Sequence, residues 1–472
     1  MAQSVATRGR GLDGYFRITE RGSTVRTEVI AGLTTFMTMA YILFLNPLIL
    51  NLVADRNGVS LGTERVLVVT ALAAGVASIA MGAFANYPFA IAAGLGLNGV
   101  VTFQLVGTEQ LTWPEAMGVV VLEGLIILVL VLTKFRQAVM ESVPLPLKHA
   151  IAVGIGLFIA IIGFVDAGFV TSTTQANPPL QLGTGNTLRG WPIFVFVFGL
   201  LLIMFLYVRR TRGALLIGIL ASTILAVIVN ELFLDGEGFG TAAQIANPID
   251  FPSGDSFSLI GDFSFGFFAE MGFIAAVLAV FTLMLADFFD TMGTAIGLGK
   301  EARLLDDQGR LPDVDKVLVV DSAAAALGGG LSASSNTTYI ESAAGIAEGG
   351  RTGLTAVVVG ILFLLSIFLA PLAAIVPFQA AAPALVIVGF LMLRTVREIP
   401  WDDSEVAIPA FLTMVVMPFT YSITNGIGAG FISYAFIKAS RGKSSDVRPM
   451  MWVASAAFVV YFAIFYVRDW VT

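Results

Sequence analysis

The sequence predicts an all-α polytopic membrane protein, and three observations carry that prediction. The chain is 57% hydrophobic and only 12% charged, whereas soluble domains carry roughly 25% charged residues. Its mean hydropathy is +0.88, and apolar runs of about 18–22 residues, long enough to cross a bilayer as a helix, recur along it. Its basic residues gather in alternate loops, as the positive-inside rule requires of cytoplasmic loops. A transmembrane β-barrel would instead show short alternating segments.

Taken in order, the apolar runs place spans 1–7 at 27–50, 66–84, 89–106, 116–133, 148–166, 191–208 and 213–231. Spans 8–14 fall at 266–290, 317–331, 334–348, 353–370, 373–393, 404–421 and 422–439. A further apolar stretch, 450–467, is either a surface helix or an extra span. The polar, Arg-rich N-terminus leads straight into the first span, so that span is expected to be its own insertion signal.

Arg8, Arg10, Arg17, Arg21 and Arg26 precede span 1. Lys134 and Arg136, Arg209, Arg210 and Arg212, and Lys300, Arg303, Arg310 and Lys316 occupy later loops, followed by Arg394, Arg397, Lys438, Arg441, Lys443 and Arg448. All fall on one side of a fourteen-span chain. The segment 231–265 holds acids and no Lys or Arg, and falls on the other side. The N-terminus is therefore predicted to be cytoplasmic. With seven spans each, the two halves are inverted repeats, a common build for secondary transporters.

Two spans are broken. The third contains Ala92-Ala93-Gly94-Leu95-Gly96-Leu97-Asn98-Gly99, and the tenth runs Gly328-Gly329-Gly330 through Ser332, Ser334, Ser335, Asn336, Thr337 and Thr338 to Glu341. Each is third in its half, and paired interruptions of this kind point to a transporter's binding site. An extended stretch frees backbone N–H and C=O groups, and the half-helix after it points its positive N-terminus inward.

Acids in apolar surroundings mark the same region. Asp287 and Asp290 sit in Ala286-Asp287-Phe288-Phe289-Asp290-Thr291, three apart on a predicted helix and so on roughly one face, which Thr291 and Thr294 extend. Glu341 follows the break of span 10, where a helix start favours an anion, and Ser342 follows it. Each intramembrane acid costs about 2.5–3.5 kcal/mol on insertion scales, so a binding or proton-coupling role is expected. The bland readings are a structural hydrogen-bond network for the aspartates, a helix cap for Glu341 and a turn residue for Asn98. Asp321, in Val320-Asp321-Ser322, is read as structural with a proton relay second, and Glu123 similarly. Glu348 and Arg351 read as a solvated pair, and His149 as a structural residue at a membrane boundary.

Other classes fit poorly. The chain has no cysteine and one histidine, so neither disulfides nor a zinc or haem site is expected, and no metal or other cofactor. It has no Walker A motif, and the glycines at 94–99 lack a strand–helix dinucleotide context. A channel would need a repeated filter ring, and an anion carrier would not place three acids at its breaks. No enzyme motif and no nucleic-acid partner is expected.

These residues resemble the nucleobase:cation symporter-2 family, and within it the azaguanine-type purine permeases. The resemblance rests on Glu28–Ile42, on Gly94–Asn98, on Asp287–Thr294, and on Tyr339–Gly345 with Glu348–Ala356. The family usually has Pro at the position of Ala93 and lacks an acid at Glu123. The resemblance implies a 7+7 inverted repeat with short strands in spans 3 and 10. A core domain would comprise 27–133 and 266–370, and a gate domain 134–231 and 371–439. The remainder would be a cytoplasmic tail 1–26, an extracytoplasmic acidic loop 232–265 and a C-terminal segment 440–472.

The resemblance further implies a purine nucleobase as substrate, imported across the cell membrane by proton symport with an elevator-type movement of the core. Guanine or hypoxanthine is favoured over adenine; uracil, xanthine or an anion as cargo and Na⁺ as coupling ion are the alternatives. Asn98, Asp287, Glu341 and Ser342 are the implied substrate contacts, with Asp290, Thr291 and Asp321 supporting the site or carrying the proton. Glu341 would accept from the Watson–Crick edge and Asp287 from an imidazole N–H, or the two in the reverse order, with backbone N–H groups near Asn98 and Ser342 free to bind O6. The oligomeric state stays open, a homodimer among the options.

Overall fold

The computed structural model describes residues 11–133, 142–173, 179–236, 238–239, 242–243, 252–306 and 311–471. Arg8, Arg10, Lys134, Arg136 and Arg310, which carry part of the charge pattern, lie outside these residues, as does much of the acidic loop.

Among the described residues, seven helices are long and apolar enough to cross a membrane: Val25–Leu50, Thr63–Ala85, Trp113–Leu132, Leu145–Asp166, Trp191–Val208, Ala214–Phe233 and Phe378–Glu398. They correspond to spans 1, 2, 4, 5, 6, 7 and 12. The others are shorter or more polar, and among them spans 3 and 10 carry the breaks and span 8 the two aspartates. Helix starts follow local chemistry. Thr24 caps span 1 by accepting from the Thr27 N–H at 3.1 Å. In span 4 the Thr112 N–H and hydroxyl donate to Glu115 Oε2 at 2.9 and 2.8 Å, and Pro114 occupies the first turn.

The two broken spans meet. Strand Ile91–Ala93 pairs antiparallel with strand Asn336–Thr338, Ala92 opposite Thr337. The ladder is extended by Tyr339 N–H to Ala90 O and Gly94 N–H to Ser335 O, each 2.9 Å. Backbone inside a bilayer must find partners within the protein, and here each half of the chain satisfies the other. The approach to the second strand needs small residues. Ser332 and Ser334 hold positive φ of 56° and 71°, and a Cβ at Gly328 would sit 2.0 Å from the Ser334 carbonyl oxygen. After the strands the chain re-enters helix, at Leu95 in span 3 and Ser342 in span 10.

Spans 1–4 and 8–11 pack mainly on one another, as do spans 5–7 and 12–14. The strand pair belongs to the first group and faces the seam with the second.

Two span bounds are corrected, and the structure adds two features. Span 8 begins at Phe273, after a separate turn Phe267–Met271 and Gly272 at φ 77°, and runs 29 residues to Glu301. Ala295 and Leu298 still bury their side chains beyond the acids, so packing carries the helix past 290 and leaves Asp287 and Asp290 in its middle. Span 12 starts at Phe378, because Pro377 ends the shorter helix Pro371–Ile375 before it. Between spans 5 and 6, strands Val170–Ser172 and Leu180–Leu182 pair antiparallel, a small addition to the mostly helical fold. The apolar stretch at 450–467 is part of a helix Pro449–Val471 packed on span 14. Phe431 and Phe458 lie edge to face at 5.9 Å, and Ser455 Oγ donates to the Phe431 carbonyl at 3.1 Å.

Candidate functional site

A cavity of about 110 Å³ lies at the seam. One wall comes from the first group: Tyr41, Gly94–Leu97, Ala286, Asp290, Thr294 and 337–341. The other is aliphatic and comes from spans 5 and 12: Ile151, Ala152, Ile155, Val388 and Met392.

Two carboxylates reach this space. Glu341 stands at the end of the strand segment, half-buried, and Oε1 accepts the Tyr41 hydroxyl proton at 2.5 Å. Tyr41 is 1% exposed, so this bond orients the carboxylate and leaves Oε2 for another donor. Asp290 opens onto the cavity from span 8. A polar wall with two acceptors facing an aliphatic wall suits a small planar molecule bearing N–H donors.

The other sequence-predicted residues do not line the cavity. Asp287 is 1% exposed and turned away, facing Glu123 of span 4. Three residues along a helix leave two side chains about 60° apart, and here the cavity edge falls between them: Asp290 lines it and Asp287 is buried beside it. Asn98 is fully buried and donates to Asn46 Oδ1 at 2.6 Å. Asn46 in turn donates to Thr70 Oγ1 at 2.6 Å and the Ala333 carbonyl at 3.1 Å. Asn98 thus belongs to a knot joining spans 1, 2, 3 and 10. Ser342 is also fully buried: its hydroxyl accepts from Ala90 N–H at 3.0 Å and its own N–H donates to Tyr339 O at 3.1 Å. The O6 contact expected of that N–H is therefore already spent.

Asp321 accepts three bonds, from Thr291 Oγ1 at 2.6 Å, Thr338 N–H at 2.9 Å and Thr338 Oγ1 at 2.7 Å. Thr291 also meets Thr337 Oγ1 at 2.7 Å. Asp321 and Thr291 clamp spans 8 and 9 to the strand of span 10. Glu348 pairs with Arg212 rather than Arg351. The turn at Gly349 (φ 103°) sends the Arg351 guanidinium to the carbonyls of Ile346 and Gly350, at 2.6 and 2.7 Å. His149 Nε2 lies 3.4 Å from Glu398 Oε2. No cluster suited to a metal ion exists among the described residues.

Sequence reasoning missed Tyr41 as a site residue, although it stands in the Thr- and Met-rich stretch of span 1. It also missed the aliphatic wall of spans 5 and 12, which carries no local signal because ordinary Ile, Val and Met line it.

Two helix groups, each drawing on both halves of the chain, with crossed half-helices and a cavity at their seam, define a secondary-transporter architecture. The chain is similar in structure to the transmembrane domain of the cyanobacterial bicarbonate transporter BicA, with TM-score 0.60 and 15% identity over 85% of this chain and 97% of that one. It is also similar to the murine anion transporter Slc26a9 in its inward-facing state, with TM-score 0.64 and 10% identity over 93% of this chain and 74% of that one. At such identities the likeness establishes the fold: a 7+7 inverted repeat with core and gate domains.

The sequence profile of the Permease family, Xan_ur_permease, matches residues 26–429, and the chain belongs to that family. It is a multi-pass membrane transporter and not an enzyme. Adenine permease AdeP of Escherichia coli is 39% identical over 457 residues, covering 96% of each chain. Guanine/hypoxanthine permease PbuG of Bacillus subtilis is 37% identical over 451 residues, covering 95% of this chain and 98% of that one.

Proposed function

We propose that the protein imports purine nucleobases across the cell membrane by proton symport, with its N-terminus in the cytoplasm. The observation that carries this reading is the seam cavity, with Glu341 and Asp290 on one wall and aliphatic side chains on the other. Relatives named as adenine and guanine/hypoxanthine permeases support the substrate class. Their near-equal identity leaves the choice of purine to the site.

Glu341, held by Tyr41, accepts from the Watson–Crick edge, where hypoxanthine has N1–H and guanine adds its amino group. Asp290, rather than Asp287, accepts from the imidazole edge. The first turn of the helix from Leu95 has N–H groups without intrahelical partners, placed to meet the exocyclic O6. Adenine has no N1–H donor, so this arrangement favours 6-oxopurines. The aliphatic side chains of the gate cover the ring face.

Transport follows if the core, 27–133 and 266–370, slides against the gate, 134–231 and 371–439, carrying the purine in an elevator-type movement. Moving uncompensated carboxylates past an apolar barrier costs several kcal/mol, so a proton taken from outside and released inside accompanies each purine. The test is uptake of labelled hypoxanthine into proteoliposomes, with unlabelled adenine, guanine, uracil and xanthine as competitors. Uptake is expected to be driven by an inward proton gradient, abolished by a protonophore and competed best by guanine. Uptake that needs Na⁺, or ignores the protonophore, refutes the coupling; competition by uracil but not guanine refutes the substrate.

A further inference from the structure

We propose that Glu123 and Asp287 share one proton and together form the coupling-proton site, separate from the purine anchors Glu341 and Asp290. The inference rests on the proton-symport reading above and gives the proton an address.

Glu123 lies on span 4, which approaches span 9 so closely that a Cβ on Gly124 would sit 2.3 Å from the Ala326 nitrogen. This contact sets the Glu123 carboxyl at the junction of spans 4, 8 and 10. Its side chain is fully buried, and Asp287 is 1% exposed. The two carboxyl groups face each other within hydrogen-bonding reach. Among the described residues, neither oxygen of Asp287 meets a donor, nor does Glu123 Oε1. Glu123 Oε2 accepts from the Ser335 hydroxyl at a long 3.4 Å.

A carboxylate can only accept. With both groups ionised, acceptor oxygens would face each other in a buried space. Among the described residues, the other ionisable groups near enough to act on the pair are Asp321 of span 9 and, from the cavity side of span 8, Asp290, both acids. One proton resolves the conflict: it turns the contact into an O–H···O⁻ bond, a short, strong class of hydrogen bond, and lowers the pair's charge by one. Asp321 is the internal control. Its oxygens receive three donors, which supply the partners that the Glu123–Asp287 pair lacks.

The pair lies one helical turn from Asp290 on the same span, so its charge bears directly on the loaded site. The core moves with its purine while the pair holds the proton, and the proton leaves to the cytoplasm after release.

The test uses the full chain in proteoliposomes with hypoxanthine. Glu123→Gln places an amide N–H where the proton would be, holding the pair permanently in its proton-bound form. Accumulation driven by a pH gradient is expected to fall at least roughly tenfold, the effect of about 1.4 kcal/mol, while hypoxanthine/hypoxanthine counterflow stays near the wild-type rate. Asp287→Asn supplies the amide from the other side and should give the same split, and it decides the matter if the first variant does not fold. Infrared spectra of the wild-type protein at neutral pH should also contain a protonated-carboxyl C=O band that the folded variant lacks. Undiminished accumulation in either variant, equal loss of counterflow and accumulation, or absence of that band overturns the proposal. A wild-type protein that takes up no hypoxanthine, or takes it up without protons, overturns the symport reading instead.

Discussion

Replacing Glu341 by Gln should invert the preference of the site. The Tyr41 hydroxyl, 2.5 Å from Oε1, can still donate to the carbonyl oxygen of the amide, so the side chain keeps its orientation. The NH₂ group then takes the place of Oε2 and faces the ligand. Hypoxanthine and guanine present N1–H there, and donor meets donor. Losing a hydrogen bond to a charged group costs about 1.5–3 kcal/mol, so their affinity should fall roughly 10- to 100-fold. Adenine offers an unprotonated N1 at the same edge and should lose far less or gain. Binding to the detergent-solubilised protein by calorimetry, with competitive uptake in proteoliposomes, measures both arms. Unchanged hypoxanthine affinity, or an equal loss for adenine and hypoxanthine in a stably folded variant, would refute the placement of Glu341 at the Watson–Crick edge.

Asn98→Ala should lower thermal stability by about 1–3 kcal/mol, through loss of its bond to Asn46, while leaving purine selectivity unchanged in competition assays. Gly345→Ala would bring a Cβ to 2.2 Å from Thr35 Oγ1 and 2.4 Å from the Ala31 carbonyl oxygen. It should push the half-helix off span 1, cost about 1–3 kcal/mol, and show as a lower melting temperature. Burial pushes the Glu109 carboxyl up from the ordinary 4.5, against the Tyr461 hydroxyl that donates to it at 3.2 Å. The folded state therefore binds the proton more tightly than the unfolded chain. That stabilising contribution is complete below about pH 4.5 and is lost as pH rises through the elevated value. Glu109→Gln should flatten this decline in melting curves recorded across pH.

Much was legible before any coordinates. The apolar runs and alternating basic loops implied a polytopic inverted repeat, because hydrocarbon leaves a chain few ways to satisfy its backbone. The Gly- and Ser-rich breaks marked where backbone would be left unpaired, and the strand pair Ile91–Ala93 with Asn336–Thr338 is where it found partners. Glu341 stood out for the same reason, as an acid beside a break.

Other features belonged to the tertiary structure. The helix of span 8 continues past 290 because Ala295 and Leu298 bury themselves against neighbours far along the chain, and a local pattern does not contain those neighbours. Residue spacing put Asp287 and Asp290 on roughly one face, yet the angle between them straddles a wall whose position is set by spans 4, 9 and 10. Asn98 has the chemistry of a ligand contact, and only Asn46, 52 positions away, makes it a knot instead. The sequence by itself determined that acids and broken helices would meet inside a membrane, since the cost of burying charge and unpaired backbone is a property of residue type. Which acid opens to the cavity and which faces another acid was decided by packing between distant spans, because direction is a property of the assembled fold.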